Sequence, residues 1–137
     1  MIRDLVIKTT LLLALILFLA SFLFKIAEAS ETVTASWYDS NSVQKEGTCH
    51  AEKCYTASGK EIHALEKAGV LFAASNSFKL GTRVRVRDPR SGRTVIVKIL
   101  DRGGFAKYGR GLDLCKRAFT ILENPRRGLL QVEYEPL

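Results

Sequence analysis

Apolar positions recur every second residue in three stretches of the chain. In Thr32–Tyr38, Val33, Ala35 and Trp37 alternate with Thr32, Thr34, Ser36 and Tyr38, the pattern of a half-buried strand. Arg83-Val-Arg-Val-Arg87 alternates strictly, and Thr94–Leu100 is rich in β-branched residues. Asp88-Pro-Arg-Ser-Gly92 between them is turn chemistry, so the two runs predict a hairpin. Leu130, Val132 and Tyr134 share one side of a last strand, Leu129–Tyr134. Val70–Ala74 is a short apolar run predicted as a buried strand, and Tyr55–Gly59 and Gly109–Leu112 are short extended pieces. Helical spacing is rarer. Glu61–Lys67 predicts about two turns stopped by Gly69. Asp113 is placed as the cap of a helix through about Leu122, with Leu114, Ala118 and Ile121/Leu122 on one face. Asp39–Lys53 is polar and irregular, the expectation being a long loop. Short strands joined by Gly-rich connections favour a closed barrel over a layered α/β fold.

The first thirty residues follow a different rule. Thr9–Phe24 is almost uninterrupted Leu, Ala, Ile and Phe, preceded by Arg3 and Lys8 and followed by Ala27-Glu28-Ala29. This is the layout of a secretory signal, residues 1–29, with the cut before Ser30. An apolar run of that length falls short of the ~20 residues that span a bilayer, although extension through Lys25 and Ile26 leaves an uncleaved anchor as the alternative. Residues 30–137 form the remaining domain.

Export alters the meaning of charge and cysteines. The 137-residue chain carries +7. Residues 30–137 keep 18 of its 21 basic and 12 of its 14 acidic residues, a net of +6. A basic surface attracts anionic partners or serves solubility. Export argues against nucleic acid, and wall glycans with acidic stem peptides fit the compartment better. Cys49 and Cys54 are predicted to close a small disulfide loop, leaving Cys115 packed at a helix start. A metal set of Cys49, His50, Cys54 and His63 is the alternative, though its spacing matches no zinc pattern.

No GxSxG, HExxH or phosphate-binding loop is present, so chemistry falls to carboxylates. A partly buried carboxylic acid donates a proton to a leaving oxygen, which is how glycosidic bonds are cut. Asp101 leaves the Thr94–Leu100 strand into Asp101-Arg-Gly-Gly104, where glycines allow close approach of a polymer; capping that bend is its other reading. Glu61 lies near a turn and faces either a cleft or solvent. Of Trp37 and Tyr38, Trp37 is expected in the core and Tyr38 free to stack on a sugar. Arg102 and Arg83 hold substrate carboxylates or are solvated.

Seven segments, in order, carry a family resemblance: Thr34-Ala-Ser-Trp-Tyr38, Tyr55-Thr-Ala-Ser-Gly59, Phe72-Ala-Ala74, Leu80-Gly-Thr-Arg-Val84, Gly92-Arg-Thr-Val-Ile-Val97, Leu100-Asp-Arg-Gly103 and Gly111-Leu-Asp-Leu114. Together they resemble the rare lipoprotein A (RlpA) family over Thr32–Glu135. The resemblance implies a mainly-β fold, a six-stranded double-psi β-barrel with one or two short helices, related to barwin and expansin domains. It implies an endolytic lytic transglycosylase that acts on peptidoglycan glycan strands stripped of stem peptides and leaves 1,6-anhydromuramoyl ends. No metal or organic cofactor is implied.

The family's Asp-Arg-Gly aspartate falls on Asp101. Its Glu after Ala-Ser-Gly falls on Lys60, with Glu61 one residue later, and its His after Ala-Ala falls on Ser75, followed by Asn76. The expected catalytic residues are thus Asp101 and Glu61; Tyr38, Ser75, Asn76 and Arg102 are the expected glycan contacts. The protein is expected to be a monomer of the periplasm or cell envelope, touching membrane only through an uncleaved N-terminal segment. A non-catalytic, expansin-like wall-binding module is the alternative, motivated by Lys60 and Ser75.

Overall fold

A computed structural model describes residues 1–27, 31–46, 49–50 and 53–137, with backbone alone for 21–27. The chain divides into two compact units, Met1–Ser30 and Glu31–Leu137. The first is one helix, α1 (Ile2–Ala27). Among the described residues no helix is long and apolar enough to cross a membrane. Of the expected cleavage site, residues 28–30 lie outside the described residues.

The second unit is built on six strands: β1 (Glu31–Tyr38), β2 (Phe72–Ala74), β3 (Arg83–Arg87), β4 (Thr94–Asp101), β5 (Leu112–Cys115) and β6 (Leu130–Pro136). They close in the order β1-β5-β2-β4-β3-β6. Two pairs, β1 with β5 and β2 with β4, are parallel and the other four antiparallel. This is the double-psi barrel.

The alternation read from the sequence sorts the two faces of the wall. Val84 and Val86 of β3, Val95, Val97 and Ile99 of β4 and Leu130, Val132 and Tyr134 of β6 are buried, whereas Arg83, Arg85 and Arg87 are exposed. Phe78 meets the Tyr134 ring edge-on at 5.0 Å. Full burial of a Val or Phe of this kind contributes roughly 1.5–3 kcal/mol.

Three short helices surround the barrel: α2 (Ser40–Lys45), α3 (Ile62–Lys67) and α4 (Lys116–Leu122). The expected Asp39–Lys53 loop therefore contains a helix. Its signal was local: Asp39 accepts from the Ser42 N–H at 2.8 Å and the Ser42 hydroxyl accepts from the Asp39 N–H at 3.0 Å, a reciprocal cap. Helix α4 begins at Lys116 instead of after Asp113. That shift of phase buries Ala118, Phe119 and Leu122 and leaves Ile121 exposed.

Cys49 and Cys54 form a disulfide with Cα atoms 4.5 Å apart. The bond takes both thiolates out of any metal set. Among the described residues no cluster of three His, Cys, Asp or Glu is placed to hold a metal. Cys115 is a buried free thiol whose sulfur accepts from the Phe72 N–H at 3.4 Å.

Candidate functional site

The site arises where the barrel's regular alternation fails. Along β2 and β4, Phe72 pairs with Lys98 and Ala73 with Ile99, but Ala74 pairs with Asp101. Leu100 is the extra residue of a bulge. Without it, Asp101 would share the inward parity of Ile99; with it, the aspartate turns to the outer face. On the other side of β2, Ala74 pairs with Asp113 of β5, which pairs in turn with Ser36 of β1. One transverse row of the wall therefore reads Ser36, Asp113, Ala74, Asp101. Ala74, itself buried, separates the two carboxylates, whose Cα atoms lie two strand spacings, roughly 10 Å, apart.

The two aspartates have unlike surroundings. Asp101 is held by three donors: the Ala57 and Arg102 N–H groups reach Oδ1 at 2.8 Å each, and the Tyr38 hydroxyl reaches Oδ2 at 3.1 Å. Ala57 is delivered by the Thr56–Lys60 turn, fastened to the end of β4 by the Ser58 N–H on the Leu100 carbonyl at 3.0 Å. Asp113 has one direct partner, the Ser36 hydroxyl, on Oδ1 at 2.8 Å. The Arg110 guanidinium donates to that same hydroxyl at 2.7 Å. Among the described residues Asp113 Oδ2 has no hydrogen-bond partner. Burial pushes the Asp113 carboxyl up to about 6; the Ser36 bond and the Arg110 charge pull it down less, and the negative charges of Glu46 and Asp101 add to the rise. Asp113 thus holds its proton into the mildly acidic range, with one oxygen free to deliver it.

Tyr38 is not an open stacking platform. It is 7% exposed, and its ring meets Phe72 edge-on at 5.8 Å. Burial, then the Asp101 charge, raise its phenol far above the ordinary value, so it stays a hydrogen-bond donor to Asp101. Trp37 is half-buried; its indole N–H donates to the Pro125 carbonyl at 2.9 Å, and Lys116 Nζ lies 4.8 Å from the ring centroid.

Ser75 is also removed from the surface. It is fully buried, its hydroxyl accepts from the Ser77 N–H at 3.2 Å, and its own N–H donates to the Asp101 carbonyl at 3.2 Å. It therefore cannot touch a glycan; it locks the backbone beneath Asp101. Asn76 is exposed and donates to the Gly103 carbonyl at 2.8 Å, while the Arg102 guanidinium turns back onto the Ser75 carbonyl. Both brace the Asp101 loop. Gly103 is required there, because a Cβ would lie 2.7 Å from the buried Phe105 ring. Glu61 caps the start of α3 through its backbone, and among the described residues its carboxylate has no hydrogen bond or ion pair. No contact ties it to the aspartate row.

Asp113 is the residue the sequence reading misassigned. It sits in β5, and the N-cap of α4 is Cys115. An Asp ahead of a helical run favours a cap, yet Leu112-Asp-Leu114 also alternates, and parallel pairing with β1 makes it a strand. Ser36 and Arg110 were missed with it.

The family model described as "Lytic transglycolase" matches residues 30–134. The chain is 30% identical over 113 residues to the endolytic peptidoglycan transglycosylase RlpA of Neisseria meningitidis serogroup B, covering 82% of this chain and 41% of that protein. It is 32% identical over 108 residues to the RlpA of Rickettsia felis, covering 79% and 42%. The chain thus spans well under half the length of either relative. Among solved structures, the expansin of Clavibacter michiganensis matches with a TM-score of 0.53 at 19% identity, over 78% of this chain and 50% of that one. Cerato-platanin 3 of M. perniciosa matches with a TM-score of 0.52 at 16% identity, over 78% and 94%. At such identities these neighbours speak for the fold.

Proposed function

The chain belongs to the lytic transglycolase family, and from that membership we propose that its barrel cleaves peptidoglycan glycan strands, with Asp113 as the proton carrier. The observation that supports this reading is the desolvated Asp113 carboxyl opposite the firmly held Asp101.

Protonated Asp113 gives its proton to the glycosidic oxygen as the C1–O bond breaks. Positive charge develops on the sugar ring, and the Asp101 carboxylate, fixed by its three donors, faces it without needing to reorganise. The sugar's own 6-hydroxyl then attacks C1 and passes its proton to the Asp113 carboxylate. The C1–O6 bond replaces the one broken, the acid is restored and no water is consumed. Tyr38, Arg102, Asn76 and Ser75 act by holding Asp101. Residues 1–29 are proposed to deliver the domain to the envelope, as a cleaved signal or an anchor.

Purified glycan strands, with and without stem peptides, incubated with the protein should acquire 1,6-anhydromuramoyl ends detectable by mass spectrometry. Binding without new ends would overturn the enzymatic reading in favour of the expansin-like module, which Lys60 and the buried Ser75 at the family's Glu and His positions favour.

A further inference from the structure

Asp113 is bonded through a single hydroxyl that is engaged on both sides. The Arg110 guanidinium donates to Ser36 Oγ at 2.7 Å, and Ser36 Oγ lies 2.8 Å from Asp113 Oδ1. A guanidinium has donors and no acceptor, so Arg110 can only give to Ser36. A hydroxyl carries one hydrogen, and that of Ser36 is therefore left for Asp113 Oδ1. An oxygen that accepts this hydrogen is the poorer place for the proton of the acid. The proton belongs on Oδ2, which has no hydrogen-bond partner among the described residues.

The chain holds Arg110 at this post. The Gly111 N–H bonds the Thr34 carbonyl of β1 at 3.0 Å, and a Cβ on Gly111 would lie 2.8 Å from the Val33 side chain. Only a glycine lets the backbone beside Arg110 press so closely on the strand that carries Ser36. The outer side of Arg110 lies against the Tyr108 ring, its guanidinium carbon 5.5 Å from the centroid. The groups around Asp113 are otherwise mixed. Burial raises its carboxyl most, the Ser36 bond and the Arg110 charge lower it, and Glu46 and Asp101 raise it further. Tyr38 and Cys115 beside it are both pushed upward by burial and stay neutral.

Resting on the glycan-cleaving reading, we propose that Arg110 and Ser36 are positioning residues that fix the acidic proton of Asp113 on Oδ2, the oxygen free to deliver it. Arg110 sets the direction of the Ser36 hydrogen, and that hydrogen keeps Oδ1 as the carbonyl oxygen of the acid. Once the proton has left, the same bond supports the carboxylate. Oδ2 is then ready to take the proton of the sugar's 6-hydroxyl.

The test reads the carboxyl itself, in the full chain, by infrared difference spectra between the parent and Asp113→Asn at pH 4. A carbonyl that accepts a hydrogen bond absorbs at lower frequency than one that does not. Ser36→Ala and Arg110→Met should each move the C=O stretch of protonated Asp113 to higher frequency, and Arg110→Lys, which keeps a charged donor, should return it. In cleavage assays the acid-side plateau of Ser36→Ala and Arg110→Met should fall roughly 10–100-fold, the cost of a misdirected group. The pH inflection should also move above the parent's value of about 6, because two groups that favour the carboxylate are lost. Arg110→Lys should recover most of both changes. A residue with a merely structural role would lower the rate in proportion to the folded fraction and leave the stretch and the inflection where they were. A stretch unmoved in both variants would overturn the proposal, whatever the rates. A parent that forms no anhydro ends would sink the cleavage reading, and the infrared shift alone would then uphold or overturn the placing of the proton.

Discussion

Strand β4 is two regions in one. From Thr94 to Lys98 it pairs with β3 in unbroken register, Val against Val on the inside and exposed residues outside. From Leu100 to Asp101 it carries the bulge against β2, and its last residue changes face. The first region obeys a single rule, alternation, and its product is a packed core. The second breaks that rule by one residue, and its product is a pair of carboxylates on one surface. Stability and chemistry are thus adjacent on one strand but depend on different features. Substitutions in the hairpin should reach activity only through folding, whereas substitutions at the bulge should reach activity directly.

The largest expected effect lies in the second region. Asp113→Asn should lower formation of anhydro ends by about 10²–10⁴-fold, the usual worth of a positioned proton donor, while circular dichroism stays unchanged. The same variant should be more stable than the parent at alkaline pH. The folded Asp113 carboxyl lies at about 6, above its ordinary 3.8, so the folded state keeps a proton that the unfolded chain has released. Stability from this group is therefore greatest at acid pH and is lost as pH rises through about 6. Removing the ionisable group should raise stability at pH 8 by on the order of 2 kcal/mol in urea melts, with no gain at pH 4.

Next comes the core of the first region. Val86→Ala deletes fully buried methyls of β3 and should cost about 2–3 kcal/mol in the same melts, with cleavage per folded molecule unaltered. A loss of activity beyond the unfolded fraction would erase the contrast between the two regions.

The smallest effect belongs to the outer face of the hairpin. Arg85 pairs with Glu135, and both are more than two-fifths exposed. Arg85→Ala should change stability by less than about 1 kcal/mol and leave cleavage alone. The disulfide supplies a further check outside the barrel wall: a thiol assay in denaturant should find one free sulfhydryl, that of Cys115.

The same contrast explains what could be read in advance. Strict alternation in Arg83–Arg87, β-branched content in Thr94–Leu100 and the shared side of Leu130, Val132 and Tyr134 in Leu129–Tyr134 revealed three strands, and seven ordered segments revealed the barrel. Asp101 was a candidate in advance, through the family's Asp-Arg-Gly segment more than through its loop. Its partner was not. Whether Asp113 caps a helix or lies in a strand depends on parallel pairing with β1, a contact 77 residues distant that local preference does not contain. The burial of Ser75 and Tyr38 was hidden for the same reason: Ser75 bonds the Asp101 carbonyl, and Tyr38 packs on Phe72 and bonds the Asp101 carboxylate, all contacts distant in sequence.

The pH dependence of cleavage tests the central claim most directly. Anhydro-end formation from stripped glycan strands would be followed from pH 4 to 9 with the unsubstituted protein and with Asp113→Asn. If Asp113 is the proton donor, the rate declines as pH rises through about 6, and the variant retains only a low rate without that inflection. If the variant cuts at the rate of the parent with the same pH profile, the proton comes from another group and the role given to Asp113 is wrong.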